Sequence, residues 1–179
     1  MKVTIARFNP ETDAEPHQET YEVAVRKGAR VLNVLDAVRD EIDPSISYRH
    51  CCRGGQCGSC AVRVNGEPAL ACMQEAKEGD LIEPLNLPLI RDLVTDIAPA
   101  IAQMAWLNAG DCLNCSHVSA EDIEEISPLR ECIECFSCLS SCPAVGASTY
   151  AGPTAIRQQR RLNLDPRDHA DRVEEAVAK

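Results

Sequence analysis

The stretch Cys52-Arg53-Gly54-Gly55-Gln56-Cys57-Gly58-Ser59-Cys60 decides how the first half of the chain folds. Its cysteines follow the pattern C-x4-C-x2-C, and a fourth cysteine follows downstream. This spacing is typical of plant-type [2Fe–2S] clusters, which four thiolates hold. The three glycines let the backbone wrap closely around an inorganic core and aim amide groups at its sulfurs. We therefore predict a [2Fe–2S] cluster with the ligands Cys52, Cys57, Cys60 and Cys72.

Two neighbours of this loop are left out of the predicted ligand set. Cys51 is expected to point away from the cluster as a packed thiol. His50 is expected to lie at the surface or behind the ligands, because a Rieske centre needs two histidines and four thiolates are already present. A structural zinc site is the alternative for the whole loop, but zinc sites favour paired C-x2-C knuckles.

A second cysteine run lies between residues 132 and 143 and reads C-x2-C-x2-C-x3-C-P. This spacing is specific for cubane clusters, and its fourth cysteine ordinarily serves a neighbouring cluster. We predict that a [4Fe–4S] cluster is held by Cys132, Cys135 and Cys138. Cys142 is then either the fourth ligand of this cubane or a ligand of an adjacent, third cluster.

The fourth donor of the cubane is an open question, because the sequence has no second run of this kind. Besides Cys142, the chain offers Cys112 and Cys115, a C-x2-C pair followed by His117. These two cysteines are candidate ligands, or a pair of reduced or zinc-bound thiols. The remaining alternative is that a partner chain supplies the donor or that the chain is one piece of a longer polypeptide.

Composition restricts the function further. The chain has 179 residues, 11 cysteines and a net charge of −10, with one Trp, three Tyr and two Phe. So acidic a chain with so few aromatic residues is not expected to bind nucleic acid. No secretory signal opens the sequence, so we expect a reducing compartment and thiols used as ligands rather than as disulfides. The apolar stretch 81–107 carries too many charges to cross a membrane.

Periodicity predicts the local structure. Alternation of polar and apolar residues indicates strands at 2–8 and 21–26. Apolar residues at helical spacing indicate a helix from Val31 to Ile42, and Asn65-Gly66 predicts a hairpin. A last short strand is expected at 81–85, and helices are expected at the ranges 89–107, 120–127, 132–141, 153–163 and 167–178. Ser119 is predicted to cap the second of these helices.

The order of the two motifs resembles that of the iron–sulfur subunits of the succinate dehydrogenase and fumarate reductase family. The resemblance extends to Leu70-Ala71-Cys72, Cys142-Pro143, Gly152-Pro153 and Asp165-Pro166-Arg167-Asp168. Phe8-Asn9-Pro10 and the stretch 16–19 are most similar to the archaeal thiol:fumarate reductase branch. We predict an α+β chain in which an N-terminal β-grasp ferredoxin domain of plant type (residues 1–86) precedes an all-α, ferredoxin-like helical domain (residues 87–179). This second domain lacks the family's later cysteine run, so we expect it to be truncated or completed by a partner.

The resemblance implies an electron-transfer subunit of an oxidoreductase that is not catalytic on its own. Its partners would be a flavoprotein catalytic subunit and a heterodisulfide-reductase-like or membrane-anchor subunit. It would be cytoplasmic, or associated with a membrane through those partners. The alternative is a free-standing, soluble two-cluster carrier of the ferredoxin type. No G-x-G-x-x-G fingerprint and no nucleophile–base pair is identified, so catalysis is expected on a partner.

Overall fold

The computed structural model describes residues 1–107, 118–145, 150–170, 172 and 174. Its fold is mixed α/β, and the chain divides into two compact units. The first unit comprises Met1–Ile97 together with Cys135–Ser141, and the second comprises Ala98–Glu134 and Cys142–Lys179. Along the chain, the first unit therefore gives way to the second after Ile97. The sequence predicts a domain boundary near residue 86.

The first unit is built on a five-stranded sheet. Its strands are β1 (Lys2–Arg7), β2 (His17–Glu22), β3 (Ala61–Val64), β4 (Glu67–Leu70) and β5 (Leu81–Glu83). Their order across the sheet is β2-β1-β5-β3-β4. The pairing of β1 with β5 is parallel, and the pairings β1–β2, β3–β4 and β3–β5 are antiparallel.

Two hairpins organise this sheet. Asn65 and Gly66 have φ values of 53° and 86°, as a two-residue turn between twisted strands requires, and the predicted hairpin is confirmed. The β1–β2 pairing sets Val3 against Tyr21 and Arg7 against His17. The second strand therefore begins earlier than the predicted range 21–26, because the mostly exposed polar residues 17–20 of this edge strand also pair with β1.

Helix α1 (Val31–Glu41) supplies the core that covers the sheet. Its apolar stripe is fully buried and comprises Val31, Leu32, Val34, Leu35 and Val38. This stripe packs with Val3, Ile5 and Ile82 of the sheet in one cluster. Ile42, predicted on the same face, caps the helix and is 48% exposed. The helix ends before Pro44, as the proline predicts.

Residues 89–107 differ from the predicted helix. Strands β6 (Leu89–Arg91) and β7 (Val94–Thr95) form a small hairpin, and only the short helix α2 (Ala98–Ala102) follows. Asp92 turns the chain with φ 45°. Leu93 is buried in the α1 core cluster, and this packing overrides the helical spacing of the apolar residues.

Helix α4 (Ser137–Ser141) belongs to the first unit and packs against β4. The predicted helix 132–141 is therefore shorter at its start. Glu134 and Phe136 have φ values of 52° and 60°, a left-handed conformation that a helix cannot contain.

The second unit is helical over its described residues. Helix α3 (Ala120–Arg130) begins at Ser119, whose hydroxyl accepts from the amide of Asp122, so the predicted cap is confirmed. Helix α5 (Pro153–Asn163) starts where predicted, with Gly152 before it and Pro153 in its first position. Its Ala155 and Leu162 pack with Leu107. The predicted helix 167–178 lies largely outside the described residues.

Candidate functional site

The sulfur of Cys52 lies at the centre of the first cysteine loop. It accepts backbone N–H groups from Gly54 at 3.4 Å, from Gln56 at 3.2 Å and from Cys57 at 3.3 Å. Left-handed conformations at Arg53 and Gly55 direct these amides inward. Three such donors stabilise a thiolate and the negative charge of a metal–sulfur core.

The four predicted ligands of this loop come together as two pairs. Cys57 hydrogen-bonds to the backbone and side chain of Cys52, and buried Cys60 hydrogen-bonds to Cys72. The bonds from Cys52, together with the Ser59 hydroxyl 3.1 Å from the Cys57 sulfur, lower the pKa of the Cys57 thiol to about 6. Burial raises the pKa of the Cys60 thiol to about 11. The loop therefore has an exposed half, which favours thiolate, and a buried half.

This pairing fits a binuclear iron cluster, in which each iron takes two protein ligands. Among the described residues, no three His, Cys, Asp or Glu side chains are grouped as ligands of a single ion would be. Two neighbouring thiol pairs, with Cys57 close enough to Cys60 to act on it electrostatically, would supply four ligands to a binuclear cluster.

Met73 closes one side of the loop. A Cβ added to Gly55, whose φ is 73°, would meet Cγ and Sδ of Met73 at 3.1 Å. Gly55 is therefore needed both for its conformation and for this close approach. The Met73 side chain is otherwise 51% exposed. Met73 is not among the residues that the sequence predicts for the site, and its position directly after Cys72 was the available signal.

Of the two flanking residues, only Cys51 differs from its prediction. Cys51, predicted to be a packed thiol, is exposed. The His50 ring is half-buried, with its centroid 5.5 Å from that of Tyr48.

The second cysteine run is divided between the two units. Cys135 and Cys138 belong to the first unit, and Cys132 and Cys142 belong to the second. The left-handed residues on either side of Cys135 place it in a tight loop, and its sulfur lies 3.4 Å from Oγ of Ser137. Such loops suit the wrapping of backbone around a cluster. Cys112, Cys115 and His117 lie outside the described residues.

Hydrogen bonds hold α4 within the first unit. The backbone N–H of Asn86 donates to Oγ of Ser140, and Nδ2 of Asn86 donates to the Ser140 carbonyl. Leu139 is buried beside this contact. The first unit therefore contains the complete first cysteine set and two cysteines of the second run.

Comparison with known proteins identifies the family. The profile of a family described as a 2Fe-2S iron-sulfur cluster binding domain matches residues 2–102. The fumarate reductase iron-sulfur subunit of Haemophilus influenzae is 36% identical over 192 residues, which cover 94% of this chain and 75% of the relative. The chain belongs to the family of fumarate reductase and succinate dehydrogenase iron–sulfur subunits. The predicted family membership is thereby confirmed.

Two further relatives of this iron–sulfur family agree. One of the subunits of the fumarate reductase (CoM/CoB) of Methanothermobacter marburgensis is 40% identical, covering 97% of this chain and 36% of that protein. A chain of the Mycobacterium smegmatis Sdh1 complex superposes with a TM-score of 0.87 at 30% identity, covering 99% of this chain and 80% of that chain. The chain thus spans about a third of the methanogen relative. Family members carry [2Fe–2S] and [4Fe–4S] clusters, as predicted.

Within the part of the chain that the structure describes, no helix has the length and apolar character needed to cross a lipid bilayer.

Proposed function

We propose that Cys52, Cys57, Cys60 and Cys72 hold a [2Fe–2S] cluster in a β-grasp domain of the plant ferredoxin type. The strand order of the sheet, the helix across it and the two thiol pairs support this assignment. The Cys52–Cys57 pair would bind one iron and the Cys60–Cys72 pair the other. Amides directed at Cys52 would favour the more negative, reduced state.

The second cluster is a cubane with the ligands Cys132, Cys135 and Cys138. The spacing C-x2-C-x2-C-x3-C-P supports this part of the proposal. Cys142 is its fourth ligand or belongs to an adjacent cluster, and Cys112 and Cys115 are further candidate donors. A third cluster is part of the proposal only if such donors are available.

The function that follows is electron transfer between a flavoprotein subunit and a second redox site. Bound clusters supply reversible one-electron chemistry. The single observation that carries the proposal is the packing of α4 against β4. β4 leads into Cys72 and α4 contains Cys138, so one compact unit presents ligands of both clusters.

The partners are proposed from the resemblance to the succinate dehydrogenase and fumarate reductase family. One is a flavin-bearing catalytic subunit, and the other is a heterodisulfide-reductase-like or membrane-anchor subunit. Fumarate or succinate would then be the organic substrate of the complex, bound by the flavoprotein and not by this chain. The strongly acidic composition suits a docking partner with a basic face.

Anaerobic purification of the tagged chain from its own host tests this function. We expect flavin to co-purify, and we expect fumarate to oxidise the reduced clusters within the isolated complex. The variant Cys57→Ser is expected to keep its flavin while this electron flow fails. A chain that elutes alone with full cluster content and reacts with no flavoprotein would instead support a free-standing carrier.

A further inference from the structure

Arg53, the residue after Cys52, adopts a backbone conformation that is costly for an arginine. Its φ is 55°, in the left-handed region, where a non-glycine residue costs about 1 kcal/mol. Nevertheless its side chain is held firmly. Nη1 donates to Oδ2 of Asp36 at 2.6 Å, and Nη2 lies 3.4 Å from Oδ1. A two-pronged guanidinium–carboxylate contact of this kind compensates the cost of the backbone conformation.

Asp36 is the shared acceptor of a small network on α1. The hydroxyl of Tyr48 donates to its Oδ1 at 2.7 Å, and Nη2 of Arg39 lies 3.6 Å from the same oxygen. The guanidinium of Arg39 also stacks over the Tyr48 ring at 5.2 Å. The Asp36 side chain is 18% exposed, whereas that of Asp40, on the same helix, is 62% exposed. One partly buried carboxylate therefore ties the helix to both the approach and the start of the cysteine loop.

The conformation of Arg53 has a direct consequence for the cysteine loop. The residues after it present the amides of Gly54, Gln56 and Cys57 to the sulfur of Cys52. If Arg53 returned to an ordinary φ, the loop would turn differently and these donors would be lost. The bound guanidinium also keeps a positive charge beside the loop, where a reduced cluster gains negative charge.

We propose that Asp36 is a positioning residue that acts through Arg53 to retain the [2Fe–2S] cluster, and that the Arg53 guanidinium raises the reduction potential of that cluster. The proposal rests on the ligand assignment proposed above. It assigns Asp36 no contact with the cluster, and the main part of its effect on iron retention passes through Arg53, beside a smaller part that passes through its hydrogen bond with Tyr48.

The test measures two quantities on the full chain purified anaerobically: the rate at which a chelator removes iron, and the midpoint potential followed by the EPR signal of the [2Fe–2S] cluster. Asp36→Asn and Arg53→Gln are expected to lose iron at least about fivefold faster than the unmodified chain. Asp40→Asn is the matched control, because Asp40 binds Arg39 from an exposed position on the same helix. We expect it to stay within about twofold of the unmodified chain.

Coupling between the two residues separates positioning from a general loss of stability. The double variant Asp36→Asn/Arg53→Gln is expected to lose iron much more slowly than the product of the two single fold-changes, whereas the fold-changes of Asp40→Asn and Arg53→Gln should multiply. A rate equal to the product of the two single fold-changes for the first pair would overturn the role assigned to Asp36.

The variant Arg53→Gly separates charge from conformation, because glycine adopts the left-handed region without cost. We expect its potential to fall as in Arg53→Gln, while it loses iron more slowly than Arg53→Gln. A potential equal to that of the unmodified chain in both variants would overturn the role of the guanidinium. If the unmodified chain showed no [2Fe–2S] signal, the ligand assignment itself would fail, which is a different result from unchanged variants.

Discussion

Asn86 and Ser140 are joined by two hydrogen bonds, from the Asn86 backbone N–H to Oγ at 2.8 Å and from Nδ2 to the Ser140 carbonyl at 3.2 Å. These bonds attach α4 to the chain that leaves β5. Cys138 lies on this helix, so the contact places a ligand candidate of the second cluster in the unit that carries the first.

Weakening this contact should affect the second cluster and spare the first. Ser140→Ala leaves the Asn86 amide without its acceptor and is expected to loosen α4 by about 1 kcal/mol. EPR of the reduced chain should then show less [4Fe–4S] signal and an unchanged [2Fe–2S] signal. Ser141→Ala, at an exposed position of the same helix, is the control. Equal losses of both signals would contradict a local role.

Gly55 should resist substitution more than other left-handed glycines. Gly55→Ala combines a strained φ of 73° with a Cβ only 3.1 Å from Met73. Gly66→Ala, at φ 86° with no atom within 4 Å of the added Cβ, carries the conformational cost alone. We expect Gly55→Ala to reduce iron content well below that of Gly66→Ala, and Gly55→Ala/Met73→Ala to recover part of the difference. Identical iron contents in the two single variants would show that the contact with Met73 is unimportant.

The β6–β7 hairpin depends on a buried ion pair. Asp92 is 2% exposed and accepts from Nε of Arg7 at 2.9 Å, and it also accepts the amides of Phe8 and Ser47. Removing one charge of such a pair costs about 3 kcal/mol or more. Asp92→Ala should lower the free energy of unfolding by that amount in urea titrations. A loss below about 1 kcal/mol would indicate that the pair is not buried in solution.

Asp43 should make stability depend on acid pH. Hydrogen bonds from Ser45 and from the Arg7 guanidinium hold the pKa of the Asp43 carboxyl well below its ordinary value. Because the pKa of Asp43 is lower in the folded chain, its ionised carboxylate stabilises the fold at any pH above the pKa of the unfolded chain, about 4. This contribution is lost as the pH falls from there toward the pKa of the folded chain. The unfolding free energy of the unmodified chain should therefore exceed that of Asp43→Asn by about 1–2 kcal/mol at pH 6.

This difference should shrink steadily below about pH 4. A difference between the two chains that stayed constant down to pH 2.5 would contradict the assigned role of Asp43.

The strongest local signals in the sequence gave correct predictions. The Asn65-Gly66 turn, the buried stripe of α1, the Ser119 cap and the bounds of α5 each follow from chemistry within a few residues. The assignment of the first cysteine set as cluster ligands, made from spacing and glycines, stays a prediction; the structure places Cys57 beside Cys52 and Cys60 beside Cys72.

The elements that the sequence did not predict depend on contacts between residues far apart in the chain. The apolar spacing at 89–97 predicts a helix, but Leu93 and Asp92 are drawn into the core and to Arg7, which lies far away in sequence. The position of α4 in the first unit depends on the hydrogen bonds between Asn86 and Ser140. The conformation of the cysteine loop at Arg53 depends on its contact with Asp36. No periodicity signals any of these pairings, because each joins segments that meet only in the folded chain.

The central claim is that one chain holds two separate clusters, and EPR with iron analysis of Cys57→Ser and Cys135→Ser tests it most directly. In anaerobically purified full chain, Cys57→Ser should lose the [2Fe–2S] signal and keep the [4Fe–4S] signal, and Cys135→Ser should do the reverse. Each variant should retain the iron of the cluster that it leaves intact. A colourless chain that binds zinc and no iron, or variants that each lose both signals or neither, would contradict the account.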